Sequence, residues 1–542
     1  MSSPDASPLN FDPSSHFAGL FAKQQDLFKI PSLNHVPIKS LKKNGLVRFR
    51  CMLQDTGLGQ EMFVSTYNKH ENGSSKTLCY LYTDDLVDMD TNQENMFPSD
   101  QLGERSIVYC VSPPGETRWA KDASCCTSDI LEALDNLNLQ ELSSPPTSGL
   151  KQKFPLADAH HTAALVKFYD NADSLRVGQL VDIIGVLGGK LDVTDNAGMD
   201  EQELFDSHLT QQYKDTPVVH AITYTTVQGA TETPFFTKAQ LDDTFSQSQD
   251  IRGPLIDYIG TCFGDDKLVA EYVLLQLLSR VSSQRHGLKI GQFCLNITNF
   301  HPNSDSPSTT TSSQPIVDIV SNLVLHQVPI PLTLDNLNKS RFSPQSVNED
   351  LLSGVLQLVP GTHILVDESA LSEGQLGDTG VRNMQALINA IQHQTVTYAF
   401  PYSQFDFDVD LGFITLSTRK SLLPNHCTIA MKPNYPLDQI QSENRSMPNR
   451  EQLNVFRLFV QASRHATYEI PEDISQYIQE DFVKERKAAA DQQKPLPSQE
   501  DLMLRMNLCR LVALSFGEQT LTRDTYNYTV RLDDMRKARN LA

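Results

Sequence analysis

THILVDES, residues 362–369, is the stretch that settles the class of fold. An unbroken apolar run that passes straight into two carboxylates describes a strand buried on both faces and ending at a solvent-facing edge. Such a strand needs helices above and below it, and the flanking sequence supplies them. Upstream, residues 267–281 (KLVAEYVLLQLLSRV) contain good helix formers, no Gly or Pro, and apolar side chains nearly all round, so a buried helix is expected. Residues 291–297 (GQFCLNI) read as a second buried strand and 316–324 as a helix. Downstream, 379–392 is helical, while 395–400 and 411–416 (LGFITL) are extended. Beyond Pro448 the pattern turns helical over 453–464, 473–490 and 501–516. Strands alternating with helices and then a run of helices imply an α/β layer followed by a helical C-terminal lid.

The first half has a different character. Residues 46–53 (LVRFRCML), 61–67 (EMFVSTY), 76–82 (KTLCYLY) and 106–111 (SIVYCV) are rich in β-branched and aromatic side chains, the first two joined by the turn QDTGLGQ. After a polar insert at about 124–153, whose DILEALDNLNL could form a short helix, the β signal resumes at 164–169 (ALVKFY), 178–187 (GQLVDIIGVL) and 218–224 (VVHAITY). Short strands in this number resemble an oligonucleotide/oligosaccharide-binding (OB) barrel with an insertion. Trp119, the only tryptophan, stands beside Arg118 and Lys121 and is the candidate for base stacking; an aromatic after the PPGE turn also serves as a packing anchor.

Sixty-six acidic and 45 basic residues give the 542-residue chain a formal charge of −21, which repels phosphate backbones, so direct nucleic-acid binding is not expected. Nine scattered cysteines, odd in number and never spaced as CxxC, point to a reducing compartment and to no metal site. The amino terminus lacks the charged and apolar regions of a secretion signal, and no run of about 18 apolar residues occurs, so a soluble intracellular protein with no membrane contact is expected.

Asp367 and Glu368 have the form of a Walker B strand, whose carboxylates hold magnesium-bound water in P-loop ATPases. The same enzymes need GxxxxGK[ST], which lets backbone N–H groups surround phosphates, and that string is absent. Its nearest counterpart is GTCFGDDKL, residues 260–268, just before the long helix. Counting from Gly260 and past Gly264, Asp265 and Asp266 occupy the positions of the second glycine and the lysine, and Lys267 comes one residue late. Carboxylates aimed at a polyphosphate repel it, so this degenerate phosphate-loop position is expected to bind no nucleotide. GxSxG and HExxH are absent as well, and His160 and His161, like His35, His220 and His326, read as solvated loop histidines. No catalytic residue, metal or cofactor is expected.

Taken together, LVRFRCMLQD (46–55), SPPGETRWAKD (112–122), ALVKFYDNADSLRVGQLVDIIGVL (164–187), LVPGTHILVDESALSEGQLGDTGVRNMQALINAI (358–391), STRKSLLP (417–424) and IQEDFVKER (478–486) resemble the mini-chromosome maintenance (MCM) complex-binding protein family. The resemblance implies a nuclear protein that associates with MCM helicase subunits, reaches chromatin indirectly, supports assembly of the helicase or its unloading in DNA replication, and aids sister-chromatid cohesion. MCM subunits themselves combine an OB barrel with an AAA+ ATPase module. The implied division is a flexible N-terminus (1–30), an OB-like β domain (31–230), a degenerate AAA+-like α/β domain (231–440) and a helical lid (441–542). A cryptic ATPase using Asp367 and Glu368 and an OB-type single-stranded DNA binder are the alternatives.

Overall fold

A computed structural model describes residues 13–20, 29–71, 74–85, 98–124, 150–156, 160–169, 172–190, 212–227, 236–285, 288–300, 313–348, 350–435, 448–493 and 495–541. Most of the polar insert at 124–153, including the leucine-bearing stretch read as a short helix, lies outside them.

Among the described residues, eight strands belong to the first half: β1 (Leu46–Asp55), β2 (Gln60–Val64), β3 (Thr66–Glu71), β4 (Ser74–Cys79), β5 (Leu102–Val111), β6 (Ala163–Phe168), β7 (Leu180–Lys190) and β8 (Pro217–Thr226). Five of them close a barrel in the order β1-β5-β6-β8-β7 and back to β1; every pairing is antiparallel except β6 with β8. Alternate residues face inward: Val47, Phe49, Cys51 and Leu53 from β1 meet Val108 and Cys110, Val166 and Phe168, Val181 and Ile183, and Val219 and Ala221. That period of two is the pattern the sequence carries. Gly185 marks the point where β7 shifts register against β8; a Cβ there would lie 2.3 Å from the His220 carbonyl oxygen, so only glycine fits. The strands flanking QDTGLGQ do not pair with each other: β2 pairs with β5, while β3 and β4 form a separate ribbon. β2 instead continues the line of β1 along one edge of β5, Met52–Asp55 pairing with Tyr109–Val111 and Gln60–Val64 with Leu102–Ser106, while β6 takes the other edge.

The second half holds β9 (Ser283–Arg285), β10 (Leu288–Ile290), β11 (Leu295–Thr298), β12 (Gln327–Pro331), β13 (Gln345–Val347), β14 (Asp350–Leu352), β15 (Thr362–Asp367), β16 (Thr395–Phe400), β17 (Ser403–Asp408), β18 (Leu411–Leu416) and β19 (Cys427–Ala430). Among the described residues the helices are α1 (Pro13–Leu20), α2 (Arg118–Ser124), α3 (Lys238–Ser246), α4 (Ser248–Gly260), α5 (Lys267–Leu278), α6 (Gln314–Leu323), α7 (Leu334–Lys339), α8 (Asp378–His393), α9 (Arg450–His465), α10 (Glu472–Asp491), α11 (Gln499–Ser515) and α12 (Arg523–Leu541). Five strands form an all-parallel sheet ordered β12-β15-β18-β11-β19. Ile364, Val366 and Phe413 face Leu387, Ala390 and Ile391 of α8 on one side. Leu295, Ile297, Leu365 and Ile414 face α5, α6, α9 and α11 on the other. All six residues of β15 are buried, as a strand covered on both faces must be.

The helices after Arg450 share this core: Phe459 and Val460 of α9, Leu511 and Val512 of α11 and Leu532 of α12 pack with α4 and α5. The barrel is keyed to the α/β half through buried polar contacts. The Gln54 amide donates to the Leu351 carbonyl at 3.0 Å, and the Gln357 amide returns a bond to the Gln54 carbonyl at 3.0 Å. No helix among the described residues is long and apolar enough to cross a membrane.

Candidate functional site

The carboxyl edge of a parallel sheet is where open α/β folds bind ligands, because the strands point their ends and following loops into one crevice. Here that edge gathers the ends of β11, β15 and β18. The sequence places Asp367 and Glu368 there, and the structure does the same. Asp367 is buried and turned back on its own chain: Oδ1 accepts from the Ser369 N–H at 3.0 Å and from the Ser369 hydroxyl. Glu368 is gripped by the loop after β18. Its Oε1 accepts from the Ser421 hydroxyl at 2.7 Å, its Oε2 from the Leu422 N–H at 3.2 Å, and the Leu423 N–H adds to the set. Burial pushes the Glu368 carboxyl above its ordinary range, against the pull of those donors. Beside them, the Ser417 hydroxyl bonds to Asn296 Oδ1 at 3.0 Å and the Phe300 N–H donates to the Ser417 carbonyl at 3.1 Å. Both carboxylates thus act as internal acceptors that fix loops. Among the described residues, no cluster of three or more His, Cys, Asp or Glu could hold a metal ion.

Gly260, Gly264, Asp265, Asp266 and Lys267 do not join this edge. The sequence places them just before the long helix, and in the structure that turn links two helices, α4 and α5. Gly253 and Pro254 both lie inside α4. Gly264 and Asp265 adopt left-handed backbone, and a Cβ on Gly264 would meet Pro433 at 2.6 Å. Asp266 caps α5 by accepting from the Val269 N–H at 3.3 Å and pairs with Arg539 Nη1 at 2.7 Å. Lys267 pairs with Asp257 at 2.7 Å on the surface. The strand-to-helix crossover that begins the parallel sheet runs instead from β11 to α6. The sequence from 299 to 313 contains no Gly, Lys or Arg, so it lacks the glycines and the lysine of a phosphate loop; 301–312 lie outside the described residues.

Comparison with known proteins adds the lineage. The family model for "Mini-chromosome maintenance replisome factor" matches residues 17–141 and 123–540. The chain belongs to this mini-chromosome maintenance replisome factor family. Proteins called "Mini-chromosome maintenance complex-binding protein" align along nearly its whole length: the one from Danio rerio is 29% identical over 94% of this chain and 90% of that protein. The counterpart from Homo sapiens is 27% identical over 94% and 91%, and that from Drosophila melanogaster 26% identical over 94% and 92%.

In this member of the replisome factor family, the tryptophan singled out for base stacking is also occupied, while Arg118 and Lys121 beside it are exposed. The Trp119 indole N–H donates to the Ser321 and Val324 carbonyls at 3.0 and 3.1 Å, and the Arg457 guanidinium lies 4.4 Å from the ring centre. It is the anchor between barrel and α/β half. On the outer face of the barrel, Lys167 pairs with Asp84 at 2.9 Å and Glu61 at 2.8 Å, and Arg105 pairs with the same two carboxylates. Burial works to raise the Asp84 carboxyl, but the His220 hydrogen bond and the charges of Lys167 and Arg105 outweigh it and hold the group far below its usual range. The histidines read as solvated are not all so. His220 is fully buried on β8, 2.7 Å from the Tyr169 hydroxyl; His326 is buried ahead of β12, and His161 stacks on Phe154 at 4.2 Å. The place of His220 within the apolar strand run VVHAITY is the sequence signal that could have marked it.

Proposed function

We propose that this chain is a non-catalytic binding partner of the MCM helicase. The observation that carries the proposal is the full-length alignment with MCM complex-binding proteins, which spans both halves of the fold. Three features support the non-catalytic part. The loop from 417 to 424 occupies the Glu368 carboxylate, a crossover without Gly or Lys follows the first strand of the parallel sheet, and the Gly260 turn is a helix connection. The barrel order β1-β5-β6-β8-β7 with its single parallel pair supports reading it as OB-like. A parallel sheet with β11 inside, between β18 and β19, resembles the arrangement of AAA+ modules. A protein with both units, divided near 31–230, 231–440 and 441–542, has the outline of a helicase subunit without its chemistry and can lie beside true subunits by shape. Within that reading it acts in the nucleus, reaches chromatin through the helicase, and supports helicase assembly or unloading and sister-chromatid cohesion.

The test is direct. Mixed with purified MCM subunits, the full chain is expected to co-elute at a fixed stoichiometry on gel filtration, and failure to form any complex sinks the proposal. Calorimetry with magnesium and ATP is expected to give no heat of binding; saturable uptake of nucleotide would overturn the non-catalytic reading.

A further inference from the structure

Among the described residues, the sheet order β14-β13-β16-β17 leaves β17 paired on one side only. Monomeric proteins usually blunt such an edge, since its unpaired N–H and C=O groups template another strand. This one is open and carries exposed aromatics. Five of the six residues Ser403–Asp408 are exposed and Phe407 is half-buried, Phe405 is 55% exposed, and Tyr402 at the turn is fully exposed.

Register defines what the edge offers. The hairpin pairs Phe400 with Ser403, Ala399 with Gln404, Tyr398 with Phe405, Thr397 with Asp406, Val396 with Phe407 and Thr395 with Asp408. With a two-residue turn at Pro401 and Tyr402, the closing pair is hydrogen-bonded and pairs alternate from there. Gln404, Asp406 and Asp408 therefore turn their backbone donors and acceptors outward. Side chains alternate as well. One face is aromatic, with Phe407 4.4 Å from Tyr398 and Phe405 5.8 Å from Phe400 between ring centres. The other is acidic: Asp406 accepts from the Thr397 hydroxyl at 2.6 Å, and Asp408 pairs with Lys289 at 2.6 Å. The Lys289 side chain is only 5% exposed, so the positive charge is sunk beneath an acidic surface.

An added strand on this edge must place residues of one kind over the carboxylates and of another over the rings. Basic side chains suit the first row and apolar ones the second, with Tyr402 available for a cation–π contact. A second copy of this chain would bring acid against acid in a protein of charge −21, and a nucleic-acid strand would meet the same repulsion.

We propose that β17 is a docking edge that takes up, by strand addition, an extended segment of the helicase partner in which Lys or Arg alternates with apolar residues. This rests on the MCM-binding reading above and assigns it a surface. Gln404→Pro removes one outward N–H without removing a β16–β17 bond, and Asp406→Lys reverses the charge of the acidic row. Asp491→Lys, at the exposed end of α10, makes the same charge change elsewhere.

Affinity of each full-length variant for purified MCM subunits is measured beside its thermal midpoint. Q404P and D406K are expected to keep the wild-type midpoint and lose about tenfold or more in affinity. D491K is expected to bind as wild type. Wild-type affinity in both hairpin variants, while the wild type itself binds, overturns the docking edge and leaves the functional reading intact. A wild type that binds no MCM subunit removes both. A wild-type dimer that Q404P turns into a monomer, or single-stranded DNA that competes for the edge, also overturns the assignment.

Discussion

Lys153 follows the polar insert and looks like any solvated lysine in the sequence, yet its side chain is wholly buried. It lies 2.7 Å from Asp55 and 2.6 Å from Asp350, with the rings of Tyr109 and Tyr213 at 5.2 and 5.5 Å. Removing the ammonium group leaves two carboxylates facing each other across the junction of the two halves. Lys153→Ala is therefore expected to cost about 3–5 kcal/mol in urea denaturation, whereas Lys267→Ala, at an exposed pair, should leave stability almost unchanged. Equal effects in the two variants would refute this account. Asp367 and Glu368 were legible because an apolar run closing on carboxylates is a local signal. The grip of Ser421 on Glu368 was not, because it comes from a loop 53 residues away. Ser421→Ala should lower stability by about 1 kcal/mol, since the half-buried Glu368 carboxylate loses one donor and keeps the Leu422 N–H.

Among elements, those with an unambiguous apolar period were readable. The strand expected at 395–400 is β16, and the helix expected at 379–392 is α8, Asp378–His393. Helix α12 left no such trace. Its buried residues are Thr525, Tyr526, Thr529, Leu532, Asp533 and Arg536, a helical spacing written mostly in polar side chains. They are satisfied internally, with Asp533 taking both Arg536 and Lys537. The same helix supplies Arg539 to Asp266 at the start of α5. Asp266→Ala should cost about 2 kcal/mol or more by removing a helix cap and leaving Arg539 unpaired. If Arg539→Ala is as harmful alone and the double variant adds little, the two act as one unit.

At the level of the whole molecule, stability should depend on mild acid. Burial keeps His326, His363 and His465 neutral, aided by the charge of Arg464 on all three, by Arg50 on His326 and by Arg280 on His465. His326 and His465 are held down to about 3, and His363 well below its ordinary 6.5. The unfolded chain takes up protons near pH 6.5, where the native state does not, so stability falls as pH drops from about 6.5 toward 3. His326 alone should account for a loss on the order of 2 kcal/mol at pH 5. Urea midpoints at pH 7 and pH 5 should differ accordingly, and His326→Gln should flatten part of that slope. A midpoint unchanged between the two would rule the histidines out.

The polar key between the halves also sets an order of events during synthesis. The last barrel strand is complete at Thr226, but Gln54 on the first strand awaits Leu351 and Gln357, and the buried Lys153 awaits Asp350. A ribosome-bound chain that has finished its barrel must hold those groups in water until more than a hundred further residues have emerged. The nascent barrel is then a folded unit with an unfinished face, and chains that stall in that interval are the ones most exposed to wrong pairing.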